Sequence, residues 1–173
     1  MKLLKTIRDI DLGFESPDPD LYIEREASRA IVFDENNNIA LLYSLKDNCH
    51  KLPGGGVEEG EDIKQALNRE MMEEVGCQIT DVKELGIIEE YRNKDSLHQV
   101  SHCFIAKLEG KKGEPEFTQS ERKAGFQLVW LSLDDAIKTL DSEKMTEFYR
   151  MKFMVTRDLL LLNEAKAYLN TYQ

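Results

Sequence analysis

Two rhythms of apolar and polar residues alternate along the chain. Ala27–Phe33 and Ile39–Tyr43 are short aliphatic runs separated by DENNN, and a polar turn between two such runs predicts a β-hairpin. Glu84–Tyr91 and Gln99–Leu108 repeat the arrangement around Arg92–His98, which predicts a second antiparallel pair. Phe126–Trp130 reads as a further short strand, and Ser132–Leu140 as a helix with Ser132 at its cap. The intervening stretch, Glu109–Gly125, is rich in charge, Gly and Ser and reads as a loop.

Helical spacing dominates elsewhere. From Asp62 to Val75 there is no Gly or Pro, and Ile63, Ala66, Leu67, Met71 and Val75 form one apolar stripe, with Gly76 as the stop. A longer helix is predicted from Glu143 to about Asn170, with Met145, Phe148, Met151, Val155, Leu159, Leu162 and Leu169 near helical spacing. Phe153, Met154, Leu160 and Leu161 make it apolar on more than one face, so it either covers the sheet of its own domain or meets a second copy in a homodimer. At the other end, Met1–Glu24 alternates and then reaches SPDPD, the pattern of an added strand followed by a turn. Strands, helix, strands and helix in this order predict an α/β fold with a mixed sheet between helices. The expected organisation is one domain over residues 1–173, with an N-terminal extension at 1–24 and a C-terminal helical extension at 141–173.

Composition narrows the partners. A chain of 173 residues suits one domain, and 41% hydrophobic with 32% charged residues suits a soluble one. No run approaches the length of a membrane span, MKLLKTIRDID meets charge too early for a secretion signal, and a cytoplasmic location is the default expectation. Cys49, Cys77 and Cys103 are odd in number and scattered, which indicates neither a disulfide framework nor a zinc site. The net charge of −10 argues against a long nucleic-acid partner, which wants a basic face, but leaves room for a small nucleotide whose charge bound cations screen.

The candidate chemistry sits in one segment, GGVEEGEDIKQALNREMMEEVGC from Gly55 to Cys77. LPGGG, at Leu52–Gly56, is a strand end entering a turn where glycines permit close backbone approach to a ligand. Glu61 and Asp62 place acid at the first turn of the helix, the positive end of its dipole. Glu70 and Glu74 continue the apolar stripe and Glu73 lies three residues from Glu70, so helical spacing groups three carboxylates at one border of the inward face. Clustered acids repel one another, and a hard divalent cation, Mg²⁺ or Mn²⁺, is their simplest neutraliser. Arg69, four residues before Glu73, is placed to hold one carboxylate.

Gly55, Glu61, Arg69, Glu70, Glu73, Glu74 and Gly76 stand at the offsets of the Nudix box, and the chain resembles the Nudix hydrolases, with Cys77 at a slot where an aliphatic residue is more usual. The resemblance implies an α/β/α sandwich and metal-dependent cleavage of a nucleoside diphosphate linked to another group, by an activated water. It implies Glu73 and Glu74 as main metal ligands and Glu70 as a further ligand or the base that orients water. The backbone carbonyl of Gly54 would complete the ligand set, and Arg69 and Glu61 would fix the carboxylates without touching substrate.

Other residues are weighed individually. Glu121 stands where some relatives place one more carboxylate, though a solvated loop Glu is the expectation here. His98 and His102 share a strand face without metal-ligand spacing and read as ordinary surface or core histidines, and Trp130 as core. Arg25, Arg29, Lys51 and Tyr91 lie where a phosphate or base could sit on such a fold, with surface or packing roles as the default. Gln78–Asp95 lacks the proline that often follows the box in relatives cleaving ADP-ribose, and the coenzyme A and NADH signatures are absent. A nucleoside triphosphate or a nucleotide-sugar type diphosphate remains. The alternatives are a non-catalytic nucleotide-binding sensor domain and an enzyme trimming RNA 5′ ends.

Overall fold

The computed structural model describes residues 1–171; Tyr172 and Gln173, the end of the expected C-terminal extension, lie outside the described residues. The strands are β1 (Leu3–Arg8), β2 (Ile23–Phe33), β3 (Asn38–Ser44), β4 (Cys49–Lys51), β5 (Gly54–Gly56), β6 (Gln78–Arg92), β7 (Leu97–Glu109) and β8 (Phe126–Ser132). The helices are α1 (Ile63–Glu70, continued by a π-helical turn over Met71–Val75), α2 (Gln119–Ala124), α3 (Leu133–Glu143) and α4 (Tyr149–Thr171). All strands join one mixed sheet in the order β1-β6-β7-β2-β3-β4, with β5 beside β2 and β8 beside β3.

The two predicted antiparallel pairs form, β2 with β3 and β6 with β7. Asp34 shapes the first turn, accepting from the backbone N–H of Asn36 and Asn38 at 2.9 and 2.8 Å. The sequence does not announce the parallel pairings, which join β2 to β7 along eleven residues and tie the N-terminal β1 to β6. Register of that kind depends on partners distant in the chain. β2 pairs in register with β3 at Phe33–Ile39; further along, β2 pairs with β5 and β3 with β4, so the sheet parts around the Leu52–Gly56 turn.

The two faces of the sheet carry separate cores. On one, α1 packs Leu67, Met71 and Val75 against Ala30, Val32 and Phe104. On the other, α3 and α4 pack Leu140, Phe153, Leu161 and Leu162 against Ile31, Ile88 and Ile105. β2 alternates between them, and Arg25 and Arg29 share the phase of Ile31 and therefore the α4 side.

Three expectations need correction. The helix predicted from Glu143 begins at Tyr149, leaving Met145 and Phe148 exposed before it, and its Phe153, Val155, Leu161 and Leu162 are buried in the core shared with α3 and the sheet. The stretch Glu109–Gly125 is not loop throughout, because Thr118 and Glu121 form a capping box that starts α2. Asp62 is the N-cap of α1, accepting from Lys64 N and Gln65 N, instead of lying in its first turn.

Candidate active site

The parted sheet opens a cleft of about 920 Å³, with the glycine strand β5 across its middle. Two of the three successive glycines are forced by what lies beside them. A Cβ on Gly55 would collide with the Glu70 carboxylate, and one on Gly54, at φ +130°, would collide with the Ser28 carbonyl. The bare backbone thus lets acid from α1 approach on one side and β2 on the other.

The acidic wall is built by the end of α1. After Glu70 the helix widens to a π turn, closed by Gly76 in the left-handed region, whose N–H donates to the Met71 carbonyl. Glu70 and Glu74 are buried and line the cleft; Glu73 is partly exposed on the outer side. The three carboxylates grouped by helical spacing differ in exposure: Glu70 and Glu74 form a buried pair, and Glu73 flanks them. Arg69 gathers them: its Nε and Nη2 donate to Glu61 at 2.8 and 3.0 Å, and its Nη1 to Glu70 at 2.8 Å and Glu73 at 3.2 Å. Arg69 Nη2 also reaches the Gly56 carbonyl at 2.9 Å, which fastens the helix to the glycine strand.

Glu74 accepts from Gly54 N at 2.5 Å and from Lys51 Nζ at 2.9 Å. Burial nevertheless pushes its carboxyl up to about 7, and burial also raises Glu70. The Gly54 carbonyl accepts from Arg29 Nη1 at 3.0 Å, which leaves a second lone pair free. Among the described residues no three carboxylate, imidazole or thiol groups converge closely enough to hold one ion as they stand. The donor chemistry still fits a hard divalent cation: the oxygens are buried, close to a backbone carbonyl, and incompletely neutralised by Arg69 and Lys51.

Of the residues weighed individually, Arg25, Arg29, Lys51 and Glu121 line the cleft. Glu121 is not a solvated loop residue, since α2 carries it to the rim. Burial works to raise its carboxyl and is outweighed by hydrogen bonds from Thr118, with help from Lys51 and Glu74, so it stays below the usual range. Tyr91, His98 and His102 lie outside the cleft: His98 stacks on Tyr91 at 4.2 Å and meets Glu24, and His102 meets Glu26. Trp130 packs beside the α1-side core under the Lys112 ammonium.

The opposite wall was not foreseen. Glu90, fully buried, accepts from Arg92 at 2.7 Å, Gln99 at 2.7 Å and Arg157 at 3.1 Å. Arg157 also donates to Asp158 at 2.8 Å, and Asp158 accepts from Leu52 N at 2.9 Å. This chain of bonds fastens α4 to the start of the glycine turn. Its trace in the sequence is an Arg–Asp pair, at 157 and 158, inside a largely apolar helical run.

Fold and site together define an α/β domain with acid and base on opposite sides of a glycine strand. A family model described as NUDIX domain matches residues 24–151, and the chain belongs to that family. Over 97 residues it is 36% identical to an ADP-ribose pyrophosphatase of Methanocaldococcus jannaschii, a match spanning 53% of this chain and 56% of that relative. The chain thus spans little more than half the length of this curated relative. Its fold is similar to that of a NUDIX hydrolase from Nitrosomonas europaea, with a TM-score of 0.63 and 16% identity over 84% of this chain and 90% of that one.

Proposed function

We propose that this protein is a Mg²⁺- or Mn²⁺-dependent pyrophosphohydrolase that cleaves a phosphoanhydride in a small nucleotide-type substrate. The observation that carries the reading is the pair of buried, under-neutralised carboxylates, Glu70 and Glu74, facing an arginine-lined wall across bare glycine backbone. Glu70, Glu73, Glu74 and the Gly54 carbonyl are the residues to hold the cation, which when bound neutralises phosphoryl charge and makes water more nucleophilic. Arg69 keeps the carboxylates oriented. Glu70, raised by burial and pressed against Gly55, is suited to take the proton of the attacking water. Lys51, at the rim beside Glu74, orients the phosphoryl oxygens. Water adds to one phosphorus, the bridging P–O bond breaks, and two phosphate-ended products leave.

The named relative brings ADP-ribose into the set of substrates to test, although Gln78–Asp95 holds no proline. The complete set of Arg69, Glu70, Glu73 and Glu74 favours catalysis over a sensor role. No helix among the described residues is long and apolar enough to cross a membrane. A homodimer through α4 would have to use positions other than Phe153, Val155, Leu161 and Leu162, which the chain buries itself.

The test is a hydrolysis screen with Mg²⁺ or Mn²⁺ over nucleoside triphosphates, ADP-ribose, nucleotide sugars and a 5′-triphosphate RNA, with Glu74→Gln alongside. Metal-dependent turnover abolished in the variant is the expected result. Folded protein without turnover on any substrate would sink the hydrolase reading.

A further inference from the structure

The arginine wall holds more positive charge than its own carboxylates neutralise. Arg25, Arg29, Arg92 and Arg157 come together on the α4 side of the cleft, with Glu90 and Asp158 as the buried acids among them. Both acids are used up by the bonds already described. Arg25 and Arg29 form no ion pair with a carboxylate among the described residues; Arg25 Nη1 donates to Gln99 Oε1 at 2.8 Å, and Arg29 Nη1 to a backbone carbonyl.

Two donors are left over. Arg29 and Arg92 are 6% and 8% exposed, line the cleft, and each keeps a buried Nε without a hydrogen-bond partner. A buried cationic donor left unmatched is costly, and in a protein of net charge −10 there is ample acid that could have filled the place. The like charges also disturb one another. Arg25 is held below the ordinary arginine value by burial and then by Arg92 and Arg157, and Arg29 is lowered to about 10 by burial and then by Arg157. An anion with several oxygens, seated against these guanidinium groups, would offset the excess positive charge.

We propose that Arg25, Arg29 and Arg92 form a seat for a terminal phosphoryl group of the substrate, on the far side of the glycine strand from the carboxylates. The chain then favours phosphoanhydrides whose far end carries its own phosphate, nucleoside triphosphates above all, over diphosphates that end in a neutral sugar. Gly56 supports the placement, because Arg25 Nη2 lies 3.0 Å from where its Cβ would stand, while the neighbouring Gly55 abuts Glu70. The seat and the carboxylates are therefore one residue apart along β5. The inference rests on the hydrolase reading for its choice of substrate, but the anion seat itself does not.

Two measurements on the full chain separate the two. Calorimetric titration with inorganic pyrophosphate in the presence of a chelator reads the seat without catalysis. Arg25→Gln and Arg92→Gln should each weaken binding about 10- to 100-fold, the loss of a charge-assisted hydrogen bond. Arg25 is the most exposed of the three arginines, so its variant keeps the test sound if Arg92→Gln does not fold. In the second measurement, kcat/KM for ATP should fall by the same factor in Arg25→Gln, while kcat/KM for ADP-ribose changes less than about threefold. Pyrophosphate binding that is absent, or equal in wild type and variants, overturns the seat. Equal losses on both substrates, or a wild type that prefers ADP-ribose, overturn its assignment to a terminal phosphate. Arginine-dependent pyrophosphate binding with no turnover of either substrate would keep the seat and remove the hydrolase reading.

Discussion

The two walls of the cleft hold opposite charges by opposite means. The acidic wall is local: Glu70, Glu73 and Glu74 fall within five consecutive residues and share one clamp, Arg69. The basic wall is assembled from β2, β6, β7 and α4, and its acids are wholly enclosed. The consequence shows in the carboxyls. Burial raises Glu74 to about 7, whereas for Glu90 burial is outweighed by Arg157 and Arg92, which hold it below the usual range. Burial alone therefore does not decide whether an acid stays ionised; the number of cations committed to it does. Glu90 is committed to holding the structure together, while Glu74 retains charge that a ligand can use.

The sharpest way to break this contrast is to remove one charged side chain from each wall. Glu74→Gln should lower metal-dependent turnover ~10³-fold or more with the fold retained, read as kcat and by circular dichroism. Turnover near wild type would mean that the acidic wall is not the reacting one. On the basic wall, Arg157→Met should instead cost about 3–5 kcal/mol of stability in urea unfolding, because it strips a partner from Glu90 and Asp158 together. A small effect there would mean that Arg92 and Gln99 suffice for Glu90.

Proton linkage sharpens the contrast further. Glu74 has a folded value of about 7 against an ordinary value of 4.5, so the folded state binds the proton more tightly. Its contribution is full below about pH 4.5 and is lost as the pH climbs through about 7, up to about 3 kcal/mol in all. In chelator, wild type should thus lose stability between pH 5 and 8 relative to Glu74→Gln, and added Mg²⁺ should restore more at pH 8 than at pH 5. Parallel pH profiles in the two proteins would count against it. The mildest change is Gly55→Ala, whose methyl must displace the Glu70 carboxylate; about tenfold lower kcat with little change in Tm is expected.

What could be read in the sequence follows the same division. α1, Gly76 and the carboxylates were legible because capping, periodicity and the box are all contained in 22 consecutive positions, from Gly55 to Gly76. The β2–β3 and β6–β7 pairs were legible because their turns are local. The parallel β2–β7 register was not, and it is this register that sets Gln99 beside Arg25. Nor does the sequence reveal that the turn after Glu70 widens, since MMEEV contains nothing that excludes an ordinary α turn. Glu121 was misjudged although the signal was present: Thr118 followed three residues later by Glu is a helix start, and α2 is what lifts Glu121 out of solvent.

The bond from Leu52 N to Asp158 has a practical consequence for anyone who would shorten this protein. The segment matched to the family stops at residue 151, so a chain trimmed there would keep the whole acidic motif and look complete by inspection. It would lack Arg157 and Asp158, leaving Leu52 N without its acceptor and Glu90 with fewer donors. The glycine strand would then be free to shift relative to the acids that depend on its shape. In this fold the last helix behaves less as an appendage than as the back of a vice, and where the chain can be cut is set by that grip.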